Sequence, residues 1–276
     1  MRHALDSELF RLRKRPQAWI MPLVASGFVL LYYGVGYLQY HSSAGLERDD
    51  MRQAVQQLSS IFENGMQIWR VVALIMIVVA SASLIGSEHG WNTLRPLVAR
   101  ATSRVDLLSA KWVVVGLYTI FMVVMGMVVS LLAATTATIL MGGSISLPVT
   151  VWDDMALGLV RWTIATLPYA AIAFSAALIT RSNAAGIAIG IGLNFAELLI
   201  IGFLLELTNK FETVVEYGIN WNVQQLVNIT TQDGGTVMDP VSTVQLWRST
   251  GILVLYCVIA IAITYRVFTQ RDITSG

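Results

Sequence analysis

Four residues in one apolar run could do chemistry: Gly186, Gly190, Asn194 and Glu197. Their spacings of 4, 4 and 3 place them on one face of a helix. The glycines let a second helix approach closely, and the Asn and Glu put an amide and a carboxyl among hydrocarbon side chains. Glu197 stands ~20 Å along such a helix, past the midplane of a bilayer. A carboxyl there has three uses. It can pair with an arginine, Arg70 or Arg161 being the partners available in other runs. It can line a polar substrate path, or it can bind and release a proton. Arg70, Arg161 and Glu206 fall near the outer ends of their runs, where long basic side chains snorkel to the headgroups.

A second group lies in the basic stretch between two apolar runs, GSEHGWNTLRPLVARATSRVDLLSAKW, from Gly86 to Trp112. Thr93 is placed to N-cap a short helix over 94–100, and Pro96 is tolerated in its first turn. That helix would carry Leu94, Leu97 and Val98 on one side and present Arg95 and Arg100 to the cytoplasm or to headgroups. Ser103 and Asp106 have capping-box spacing, so the next helix is expected to start at Arg104, ahead of the membrane. A solvated basic loop would satisfy topology alone; a capped helix with an exposed apolar edge is more than topology requires.

Other chemistry is missing from the sequence. There is no phosphate-binding loop of the G-x-x-x-x-G-K-[S/T] type, no H-E-x-x-H and no G-x-S-x-G. His3, His41 and His89 are far apart, and Cys257 is a lone thiol in an apolar run. The chain is therefore read as no enzyme by itself, with no metal or cofactor of its own.

The elements that position these residues follow from composition. Of 276 residues, 55% are hydrophobic and only 13% charged, about half the charge of a soluble domain. Six runs are long enough to cross a bilayer as helices, near 19–40, 68–85, 112–141, 159–179, 184–207 and 251–268. The first is too long for the apolar core of a cleaved signal. With the N-terminus inside, twelve of the eighteen Lys and Arg residues fall on the inner side, which puts both termini in the cytoplasm. The expected fold is an all-α polytopic membrane protein, one permease-like domain over 1–276. Residues 1–16 read as an interfacial helix with Leu5, Leu9 and Leu12 on one face and Pro16 at its end. The four residues 180–183 make the fourth and fifth spans an antiparallel hairpin. Residues 41–67, with a short helix near 51–62, and residues 142–158 read as outer loops, and 208–249 as a large outer segment. Asp239-Pro240 is a helix-start signal ahead of the last span.

Glu88…Trp91-Asn92-Thr93-Leu94-Arg95…Leu97-Val98-Ala99-Arg100…Ser103-Arg104…Leu107-Leu108…Lys111 resembles the loop between the second and third helices of ABC type-2 permeases. The likeness is to the branch with bacitracin-type and lantibiotic-type export and immunity permeases. Asn92 stands where the family has Gly, and Pro96 is a second departure. The resemblance implies that 88–104 is a coupling helix docking on a separate ATPase subunit through Glu88, Thr93, Leu94, Arg95, Leu97, Val98, Arg100 and Arg104. It implies two ATPase copies holding ATP and Mg, a second copy of this chain, and an interfacial N-terminal helix near the loop. It also implies that the second and fifth spans of two copies meet around the transport path, so Gly186, Gly190, Asn194 and Glu197 become a path or a dimer seam.

The reading favoured here is the membrane half of an ATP-driven exporter of an amphipathic substrate (peptide antibiotic, drug or lipid-like) in the plasma membrane. Its partners would be the ATPase, a second copy and membrane lipid, with no nucleic acid. The rivals are a proton-coupled secondary transporter using Glu197 and a non-transporting scaffold or immunity protein.

Overall fold

The computed structural model describes residues 2–42, 58–91, 93, 103–142, 150–207, 215–227 and 243–270. All the regular structure among them is helical: α1 (Arg2–Lys14), α2 (Gln17–Ser42), α3 (Leu58–Gly90), α4 (Arg104–Leu140), α5 (Thr150–Thr180), α6 (Asn183–Leu207), α7 (Ile219–Val227) and α8 (Thr243–Gln270). Five stretches, Gln17–Ser42, Asn64–Gly90, Arg104–Leu140, Met155–Thr180 and Thr243–Gln270, are long and apolar enough to cross a membrane. This is a helical membrane protein. A further helix, α6, runs for 25 residues.

α3 lies at the centre, packed on α2, α4, α5 and α6. Small residues set the closest approaches. Gly126 of α4 lies under the indole of Trp69, where any Cβ would collide with the ring. The buried Trp69 Nε1 donates to the Met122 carbonyl at 3.1 Å, so the large ring has a partner for its one polar atom. α5 and α8 are joined in the apolar interior by a hydroxyl pair, Thr264 Oγ1 to Ser175 Oγ at 2.7 Å. By contrast α2 and α8 turn Leu23, Leu31, Leu38, Val254 and Val258 outward. In a membrane these faces meet lipid chains, which are as apolar as leucine.

The helices overrun the apolar runs. α4 has 37 residues, ~55 Å of helix against a hydrocarbon core of ~30 Å. It starts at Arg104 because Ser103, in extended conformation, accepts the Asp106 N–H at 2.9 Å. The interfacial-helix signal at the N-terminus becomes α1, which packs Leu5, Leu9 and Leu12 against the core. The tight hairpin after the fourth span forms as expected, with Arg181 in the left-handed region at φ 57.

Two loop readings are corrected. Residues 150–158 are the first turns of α5 rather than loop. Of the short helix expected near 51–62, residues 51–57 lie outside the described residues, and Phe62 lies within α3, which runs on through Asn64 and Gly65, with Gly65 packed against Tyr33 and Ser130. Within 208–249, α7 is a packed element that buries Ile219, Val223 and Leu226 against the bundle. Asp239 and Pro240 lie outside the described residues, and α8 is in place from Thr243.

Candidate functional site

Among the described residues, charges gather where α1, the end of α3 and the start of α4 meet. Lys111 points back into the bundle, and its Nζ reaches Glu88 Oε1 at 2.7 Å, Glu8 Oε2 at 3.0 Å and the Leu84 carbonyl at 3.3 Å. Those three acceptors match the three donors of an ammonium group. Arg11 adds a contact to Glu8 Oε1 at 3.0 Å and stands 4.0 Å from Glu88. Arg15 donates to the Ser83 carbonyl at 3.0 Å and to Glu88 Oε1 at 3.5 Å. Glu8, Glu88 and Lys111 are each no more than 2% exposed. Burial of a charge costs several kcal/mol unless partners are at hand, and Lys111 has Glu88 at 2.7 Å and Glu8 at 3.0 Å, while Glu88 Oε2 is left without a hydrogen-bond partner. Thr93 extends the clasp toward the basic loop: its N–H and hydroxyl both donate to the Glu88 carbonyl, at 3.0 and 3.4 Å.

From the clasp a continuous set of contacts runs along α3 to α6. Ser83, whose carbonyl takes Arg15, donates its hydroxyl to Asn183 Oδ1 at 3.2 Å. Gly86 lies so close to Asn183 that a Cβ would fall 2.5 Å from its Cα. Further along α6, Gly186 faces Ala173 and Ala177 of α5, and Gly190 faces Val78 of α3 and Ala173 of α5. The glycine face therefore packs helices within one chain. The outward face of α6 carries Ile189, Phe195, Leu199 and Ile200 instead.

Beyond Gly190, α3, α5, α6 and α7 part to leave a cavity of about 220 Å³. Its lining includes Arg70, Tyr169, Gly190, Asn194, Asn220 and Gln224 among apolar side chains. Arg70 Nη2 donates to Gln67 Oε1 at 3.3 Å and the guanidinium sits 5.5 Å from the Trp162 ring centre. Its Nη1 is buried without a hydrogen-bond partner. The Tyr169 hydroxyl is also buried; Asn194 stands beside it but makes no well-formed hydrogen bond to it. Glu197, one turn further along α6, does not line the cavity. Its Oε1 accepts the Asn220 N–H at 2.7 Å at the start of α7, and its Oε2 is buried without a partner. An anion at a helix N-terminus is favoured by the free N–H groups and the dipole. Neither Arg70 nor Arg161 forms an ion pair with Glu197 among the described residues. No three His, Cys, Asp or Glu side chains among them come together as a metal-ligand set.

A family model matches residues 21–274, nearly the whole chain. The chain belongs to DUF2705, a family of proteins of unknown function. A comparison with curated proteins gives no match. The DUF2705 match takes in the α3–α4 half of the clasp, the cavity and α7, and it begins after Glu8, Arg11 and Arg15 of α1.

The sequence-predicted residues divide among these places in the DUF2705 chain. Glu88 and Thr93 belong to the clasp, and Arg104 is exposed at the first turn of α4. Leu94, Arg95, Leu97, Val98 and Arg100 lie outside the described residues. Gly190, Asn194 and Arg70 come together at the cavity, while Arg161 is half-buried on α5 and is not a lining residue. Glu206 lies in the last turn of α6. Sequence reasoning missed Glu8, Tyr169, Asn220 and Gln224. Glu8 had a signal: it falls on the Leu5–Leu9–Leu12 face of α1, and an acid on a buried face requires a cation.

Proposed function

We propose that this chain is the membrane subunit of an ATP-driven exporter, working with a separate ATPase that docks on the basic loop 88–104. In this reading α6 is the fifth of six spans, both termini are cytoplasmic, and the protein sits in the plasma membrane as a pair of copies with two ATPases. ATP and Mg belong to the partner. The observation that carries the reading is the buried Glu8–Glu88–Lys111 clasp, which fixes α1, α3 and α4 together at the base of the loop. A push on that loop would be conveyed to α3 and, through Ser83, Gly86 and Asn183, to α6 rather than absorbed by slack side chains.

The test is copurification. The chain, tagged and extracted in mild detergent, is expected to bring down a stoichiometric ATPase, and Leu97→Asp with Arg100→Glu is expected to release it. A chain that purifies alone, or a double variant that keeps the ATPase and transport, would sink the proposal.

A proton-coupled carrier is the second reading, favoured by the buried and unpartnered Glu197 Oε2. It requires transport that follows a proton gradient without ATP and that stops in Glu197→Gln.

A further inference from the structure

We propose that the cavity between α3, α5, α6 and α7 binds the anionic head of an amphiphile, with Arg70 Nη1 and the Tyr169 hydroxyl as the groups that take its oxygens. This deepens the exporter reading by naming a substrate class, and rests on that reading only for what the bound amphiphile is for.

Two buried donors face the same need. A guanidinium nitrogen left without a partner in an apolar setting is costly, more so than a neutral donor. The fork of an arginine matches phosphate and carboxylate oxygens, and a bond to such an anion strengthens where water is scarce. Gln67 and the Trp162 ring hold the guanidinium, so its free nitrogen is positioned before any ligand arrives. Asn194 and Gln224 add side-chain amides to the lining. The carboxylate on the same stretch of α6, Glu197, is turned to Asn220 and is not among the lining residues. The charge offered to the cavity is therefore positive.

The size and the mouth select an amphiphile. Pockets for drug-sized ligands measure roughly 300–1,000 Å³, so one of about 220 Å³ takes a headgroup and the first carbons of a chain. Val71 and Phe195 stand at the rim, 60% and 52% exposed, and the rim continues into the apolar outer face of α6 at Leu199 and Ile200. A chain leaving the cavity there lies along hydrocarbon side chains and lipid.

The rim gives the assay. Val71→Cys in a Cys257→Ala background of the full-length chain, in neutral detergent, is alkylated by a maleimide. A monoacylglycerol phosphate is expected to slow alkylation about tenfold, the effect of one charge-assisted hydrogen bond. The matched monoacylglycerol and inorganic phosphate, at the same concentration, are expected to leave the rate unchanged. Arg70→Gln is expected to abolish the protection and Arg70→Lys to keep part of it. Equal protection by monoacylglycerol would make the site a plain apolar groove, and protection by inorganic phosphate would assign it to a soluble anion; either overturns the proposal. So would full protection in Arg70→Gln. The ranking of the three probes decides even if that variant does not fold. No ATPase takes part, so failure here leaves the copurification result standing, and the converse holds.

Discussion

The two ends of α3 handle charge in opposite ways. At Glu88, two acids and three bases interlock, and the lysine at the centre uses all its donors. At Arg70, ~27 Å away along the same helix, a buried guanidinium keeps an unused nitrogen, and Glu197 across the groove keeps an unused oxygen. Both ends are shielded from water. The difference teaches that burial alone does not say what a charged group is for. A cluster in which each buried charge has an opposite charge beside it, although Glu88 Oε2 makes no hydrogen bond, fixes the position of helices, whereas a cation without a counter-charge retains capacity to bind.

The sharpest way to break this contrast is Lys111→Met. It leaves Glu8 and Glu88 facing each other without their shared cation, and losing one member of a buried pair costs about 3–5 kcal/mol. Thermal unfolding in detergent is expected to show a large fall in Tm, and limited proteolysis is expected to release α1. A variant as stable as wild type would mean that the clasp is not what holds α1 in place.

Next is Gly190→Leu, which tests whether α6 is seated as tightly as its contacts indicate. A Cβ there would meet Val78 Cγ1 at 2.6 Å and the Ala173 Cβ at 2.8 Å. Overpacking of this kind costs about 1–3 kcal/mol. Because Gly190 also lines the cavity, the same variant should lose the headgroup protection described above. Wild-type Tm would show that α6 moves aside without cost.

Arg70→Met should behave unlike Lys111→Met, although both remove a buried cation. The Arg70 guanidinium has one weak acceptor and an aromatic face, worth about 1 kcal/mol, against the cost of an orphan donor. Stability is expected to stay within about 1 kcal/mol of wild type or to rise. A fall as large as that of Lys111→Met would erase the distinction between the two ends.

How far the sequence was legible follows the same division. Long apolar runs, the Ser103 cap and the four-residue hairpin are local signals, and each produced its element. Glu88 and Thr93 were reached through a motif. Lys111 entered through the same motif but without its partner, and Glu8 not at all, because their pairing spans 103 residues of chain. The cavity was half legible. Gly190 and Asn194 share a helix face and could be paired by spacing, whereas Tyr169 and Asn220 reach the same place through tertiary packing that no periodicity encodes. Loop bounds were the least legible: residues 150–158 are the start of α5, and 219–227 form the packed helix α7 within 208–249.

The smallest expected effect separates the rival functions. Glu197→Gln keeps a side-chain oxygen to accept the Asn220 N–H, so the start of α7 remains tied to α6. What changes is the charge and the proton that could be taken up at Oε2. Tm is expected to move by less than about 1 kcal/mol equivalent, because an acceptor replaces an acceptor. Glu197→Ala, which leaves the Asn220 N–H without that partner, should cost about 1–3 kcal/mol and loosen α7. If transport survives in Gln and falls in Ala, Glu197 serves as the anchor of α7 and the proton-coupled reading loses its residue. If transport is lost in Gln at unchanged Tm, the carboxyl itself is at work. The unpaired oxygen would then mark a second receptive group beside Arg70, on the end of α3 that the clasp leaves open.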